Sequence, residues 1–211
     1  MKRIRMMVVA VIFLLPGLAL GQDYRQKLTM SPDRAYASML SSAKSEKYDR
    51  VLSVFVNLKP LTDNLSEKER VNFESELTDA VISTEKKQVV TCLLKIISSD
   101  IGDHLSYVPD DLESNHFSVA KRRVRMTFTT YLLMEPYLRD AKSKKDWTIK
   151  QSFKRVLMVV ESSARLKGDK KAQAIESLRQ EIDTIVSTLR ATVQKRIKIG
   201  ALVPAFESIA R

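Results

Sequence analysis

The sequence predicts an all-α protein, a single helical bundle of about six helices. Three observations carry that expectation. Glycine is scarce, with five in 211 residues, and Gly17 and Gly21 fall in the first 21 positions. Sheet proteins need more glycine for their tight turns. Ala, Leu, Lys, Arg, Glu, Gln and Met dominate, and all are good helix formers. Apolar residues recur at helical spacing, and no window shows sustained alternation of period two.

The elements follow in order. Ser31 and Pro32 read as an N-cap with proline at the first helical position, and Ala35, Met39 and Leu40 begin the stripe behind them. Val51, Val54, Phe55 and Leu58 form a second stripe that stops at Pro60. Ser66 and Glu69 have capping-box spacing ahead of Val71, Leu77, Ala80 and Val81. Val89, Val90, Leu93, Leu94, Ile97 and Ile101 come next. Phe117, Ala120, Val124, Phe128, Tyr131 and Leu132 follow. Asp146 reads as a cap and Trp147 as an anchor for the helix carrying Ile149, Phe153, Val156, Leu157, Val160 and Ala164. The last stripe is the longest: Ile175, Leu178, Ile182, Ile185, Leu189, Val193, Ile197. Its 3-4-3-4 start is bundle-like. Gly102, Gly168 and Gly200 each follow an apolar helical pattern, where a left-handed cap would fall.

The halves 31–103 and 117–199 suggest an internal duplication. Slid against each other, Phe55, Leu58, Pro60 and Leu61 fall on Tyr131, Met134, Pro136 and Tyr137. The shared proline is the one match that helical periodicity does not explain.

The chain begins MKRIRMMVVAVIFLLPGLALGQ. Lys2, Arg3 and Arg5 precede an apolar core from Met6 to Leu15, then Pro16-Gly17 and the small residues Ala19 and Gly21. This is the layout of a secretory signal peptide over 1–21, cut before Gln22. The apolar core is short of the roughly 20 residues that span a bilayer. The expectation is an exported protein, bacterial periplasmic or extracellular, with no transmembrane segment in the mature chain. The bundle would occupy 22–200 and a tail 201–211, and the C-terminal KRIKIGALVPAF, which straddles that boundary, mixes cations and apolar residues as surface-resting segments do. Cys92 is the only cysteine. No intrachain disulfide can form, and its apolar setting reads as packing, not as a reactive thiol.

The formal charge is +11, and loss of Lys2, Arg3 and Arg5 leaves +8. From 96 to 120 there is no Lys or Arg, while Asp100, Asp103, Asp110, Asp111 and Glu113 give −5. The segment reads as the longest break between helices, with Asp110 and Glu113 capping a short helix after Pro109. Asp100, Asp103, His104, Asp110 and His116 are the candidate metal donors, though their spacing matches no established metal motif.

The run KRRVR follows. Its four cations, Lys121, Arg122, Arg123 and Arg125, are the candidate partner-binding residues, although on a helical wheel they spread around the helix as a solvated first turn would. Glu135, just before Pro136, is a candidate buried carboxylate if the helix runs on through the proline, and a boundary residue if it ends there. Glycine-rich phosphate loops, C-x-x-C-H haem attachment and a serine nucleophile elbow are absent from the sequence, so no catalytic residue and no cofactor is expected. Asn64-Leu65-Ser66 matches a glycosylation sequon. The sequence implies a non-enzymatic protein that binds an anionic partner: an acidic protein, a cell-wall polymer or a membrane surface. Export argues against nucleic acid. The alternative is a small-ligand- or metal-binding bundle using 100–116.

Overall fold

The computed structural model describes residues 28, 30–138 and 144–202, the side chains of 196–202 excepted. The expected leader, its cleavage point, residues 203–211 of the expected tail and the side chain of Ile197 lie outside these. The fold is 86% helical with no strand among the described residues. In chain order the helices are α1 (Pro32–Lys44), α2 (Tyr48–Val56), α3 (Lys59–Glu69), α4 (Phe73–Ile82), α5 (Lys86–Ser106), α6 (Val108–Glu113), α7 (Phe117–Met134), a 3-10 turn (Glu135–Tyr137), α8 (Lys144–Ser163) and α9 (Gly168–Leu202).

The bundle is built around α5. Val89, Val90, Leu93, Leu94, Ile96, Ile97, Ile101 and Leu105 are all buried, on more than one side of the helix. A helix apolar on several sides must be enclosed, and α1, α3, α4, α7 and α9 surround it. Helix α8 lies between α7 and α9, and α2 rests on α1. One core cluster runs from Ala35 to Val193.

The helices outnumber the expected six because several breaks are made without glycine. Glu46, Arg70, Thr84 and Asn115 each adopt left-handed φ of 55–61°, following α1, α3, α4 and α6. An L-residue there costs on the order of 1 kcal/mol, and of the four only Asn115 is of a type that favours it. Ser31 and Pro32 open α1 as expected. The capping-box reading of Ser66 and Glu69 is corrected. Both lie inside α3, and α4 is capped by Asn72, whose side chain accepts from Ser75 N at 3.0 Å. The Ser66 hydroxyl instead accepts from Phe73 N at 3.3 Å.

The longest correction concerns 98–116. It is not a break. Helix α5 continues through Gly102 to Ser106, turns once at Tyr107 and enters α6, with Pro109 in its first turn. A helical glycine costs about 1 kcal/mol. Burying Leu105 and then Val108 beyond it returns about 1.5–3 kcal/mol each, so the helix goes on. Gly102 faces Val186 of α9, whose methyl carbons lie 3.6 and 3.7 Å from where a Cβ would stand. Gly168 has positive φ (53°) but opens α9 instead of capping α8, and Gly200 lies within α9. As for the two halves, Pro60 and Pro136 each sit in the first turn of a helical segment. The break at Ser83–Glu85 falls, under the same shift, inside α8.

Candidate functional site

The acidic segment is consumed by the fold. Asp100 and His104 are buried one turn apart on α5. Asp103, 6% exposed, pairs with Lys68 Nζ of α3 at 2.5 Å. Lys68 also donates to Tyr107 Oη at 2.8 Å and sits over that ring. Burial alone would lower the Lys68 pKa, but the bonds to Asp103 and Tyr107 outweigh it and hold the ammonium above its usual range. Asp111 and Glu113 accept from Arg123 and Arg179 at 2.9 and 2.7 Å. Asp110 and His116 are exposed. The metal candidates are thus divided between core, ion pair and solvent. No group of three or more His, Cys, Asp or Glu able to hold a metal occurs among the described residues.

The basic run divides differently from the wheel expectation. Arg123 is buried: its Nε donates to Asp111 and its guanidinium lies 5.2 Å from the Tyr107 ring centroid. It is a structural cation joining α7 to α6 and is withdrawn as a partner contact. The other three do share a face. Lys121, Arg122 and Arg125 line one shallow hollow of about 380 Å³ with Ser118, Met126, Thr129 and Asp33 of α1. Residues 118, 122, 125 and 129 recur at helical spacing, a signal the sequence carried. Asp33 is engaged by Thr130 Oγ1 at 2.5 Å. Lys121 holds Glu161 of α8 at 2.6 Å, and Arg125 reaches the same carboxylate at 4.0 Å. Lys121, by its hydrogen bond and then its charge, keeps the Glu161 carboxyl below its usual range. Three cations against Glu161 and one already engaged aspartate leave the hollow electropositive, and among the described residues Arg122 pairs with no carboxylate of its own.

No family model, curated protein or solved structure matches this chain. The site therefore rests on its own chemistry. Two guanidiniums, an ammonium and the hydroxyl of Ser118 are hydrogen-bond donors suited to oxyanions, while the Thr129 hydroxyl already donates to the Arg125 carbonyl at 3.1 Å.

Glu135 is a boundary residue. Helix α7 ends at Met134, and Glu135, about a quarter exposed, accepts from Lys150 of α8 at 2.7 Å. Lys150 also reaches Asp146 at 3.0 Å, and Tyr131 donates its phenol to Asp146. Burial first, then that hydrogen bond, raises the Tyr131 pKa. Asp146 is therefore a tether between α7 and α8, where the sequence suggested a cap. Trp147 does not anchor α8; it is 62% exposed. Cys92 is half-buried, and burial, aided by Glu76, pushes its thiol up to about 11, which leaves it protonated and poorly nucleophilic at neutral pH.

A second concavity of about 450 Å³ lies between α3, α5, α6 and α9. Leu65, Pro109, Ile182 and Val186 give it apolar walls. The Lys68–Asp103 and Arg190–Glu69 pairs bridge its rim.

Proposed function

We propose that this chain is an exported helical-bundle protein that binds an anionic partner through the outward face of α7 and works without catalysis. The observation that supports the reading is the hollow in which Lys121, Arg122 and Arg125 converge with Ser118 and Thr129. Arg122 and Arg125 are exposed, and neither stands in the core. Among the described residues no helix is long and apolar enough to cross a membrane, which fits a partner met at a surface. Binding of a linear polyanion such as polyglutamate, followed by calorimetry, tests the reading. Affinity should fall steeply with salt, and Arg122→Glu with Arg125→Glu should weaken it at least tenfold. Binding that neither salt nor this double reversal changes would refute it.

A second reading has its own support. The groove beside Asp103, Ser106 and Pro109 borders the segment from which the sequence suggested small-ligand binding. Its balanced ionic rim over apolar walls suits a small zwitterion. Screening zwitterionic compounds by thermal shift, with Ser106→Trp filling the groove as control, separates this reading from the first.

A further inference from the structure

Of the seven large apolar side chains exposed among the described residues, four, Met126, Leu132, Trp147 and Met158, belong to α7 and α8, while Met30, Val56 and Ile82 lie apart from them. The two helices run antiparallel. Lys121 meets Glu161 near one end and Glu135 meets Lys150 at the other. Phe128, Tyr131 and Phe153 fill the seam between them, with ring centroids 5.2–6.4 Å apart. Their outward faces therefore lie side by side, away from the core. On α8 that face reads Trp147, Lys154 and Met158, all exposed and at helical spacing, with exposed Arg165 in the turn just beyond the helix. On α7 it reads Arg122, Arg125 and Leu132, with Met126 beside the hollow. Lys144 and Lys145 are exposed at the Trp147 end.

We propose that this two-helix face docks on an anionic lipid bilayer surface. The inference rests on the anion-binding reading above and names its partner. The charge is complementary: Lys121, Arg122, Arg125, Lys154 and Arg165 stand against Glu161 and Asp33, since Glu135 is taken by Lys150. The apolar groups are spaced singly between cations instead of gathered in a groove. A peptide helix would need a groove for its apolar stripe. A bilayer boundary accepts isolated Trp, Leu and Met side chains while its head groups meet the cations. Trp is the residue most suited to that depth, with an apolar ring and a polar N–H. The α7 hollow would seat one head-group phosphate between Arg122 and Arg125.

Trp147 is the sole tryptophan of the chain, so its fluorescence reports on this face alone, even if other parts of the chain touch lipid. The experiment adds full-length protein to phosphatidylglycerol vesicles, to phosphatidylcholine vesicles and to polyglutamate. The expected result is a blue shift of Trp147 emission and its quenching by brominated lipid with phosphatidylglycerol only, reversed by salt. Each cation near an anionic bilayer is worth roughly fivefold in partitioning. Lys154→Glu with Arg165→Glu, with helical content checked by circular dichroism, should therefore weaken binding about 30-fold or more. Vesicle association with unmoved Trp147 emission overturns the proposal, and so does an equal response to neutral vesicles. Polyglutamate binding beside a silent Trp147 overturns bilayer docking while leaving the broader anion reading standing. Binding to neither probe overturns both.

Discussion

The acidic turn of α5 and α6 and the basic start of α7 adjoin in sequence, yet the fold uses their charges in opposite ways. Asp103, Asp111 and Glu113 are turned toward cations of α3, α7 and α9 and hold the bundle's corner together. Arg122 and Arg125 are turned outward around a hollow, and Lys121 at its edge also pairs with Glu161 of α8. Arg123 belongs to the first group although it sits among the second. A run of charge along the chain thus says little about surface potential. What matters is which charges the helix wheel directs to a partner inside the fold.

The largest test of that division compares neighbours. Arg123→Ala should cost about 3 kcal/mol in chemical denaturation, because it leaves the largely buried Asp111 carboxylate without its cation. Arg122→Ala, on an exposed helix face, should stay within about 0.5 kcal/mol. Equal costs at the two positions would erase the distinction between structural and outward cations.

Next in size is the seam that holds the outward face flat. Tyr131→Phe removes the bond to Asp146 and leaves that carboxylate with Lys150. A loss of about 1–2 kcal/mol is expected, and a neutral result would show that the tether does not fix α8 against α7.

Smaller effects check the corners. Gly102→Ala should stabilise α5 by about 0.5–1 kcal/mol, since the added methyl meets Val186 at ordinary contact distance. Destabilisation would restore the reading of Gly102 as a cap. Thr84→Gly should stabilise by a similar amount, on the order of 0.5–1 kcal/mol, by relieving a β-branched residue held at φ 55°.

The smallest is the pH response of Arg155 and Glu181, which pair at 2.5 Å across α8 and α9. Burial alone would raise the Glu181 pKa, but hydrogen bonds from Arg155 and Ser152 outweigh it and hold the carboxyl low. A depressed carboxyl stabilises the fold above its unfolded value, about 4.3 for glutamate. That stability is lost as pH falls through the lower folded value. For this partly exposed pair the loss is about 0.5 kcal/mol, visible as a steeper acid limb in the parent than in Glu181→Gln.

These tests also mark what the sequence made legible. The fold class, the start of α1, the stripe of α5 and the long stripe of α9 followed from helical spacing, because burial enforces that spacing directly. The continuation through Gly102 did not. Glycine is a local signal, and the burial of Ile101, Leu105 and Val108 that overrides it is tertiary. The breaks at Arg70 and Thr84 were hidden because neither residue favours the left-handed region it occupies. At the site, the spacing of 118, 122, 125 and 129 could have shown the shared face. Asp33 could not have been found, because it reaches the hollow from a helix remote in sequence.

The salt dependence of polyanion binding tests the central claim most directly, measured side by side for the parent chain, for Arg122→Glu with Arg125→Glu, and for Lys87→Glu on exposed α5 surface. A linear polyanion releases counterions for each cation that contacts it. The division between paired and outward cations predicts that the double reversal flattens the plot of log affinity against log salt while Lys87→Glu leaves its slope unchanged. Equal slopes for all three proteins would contradict it, since the outward cations of α7 would then be no more than solvated surface.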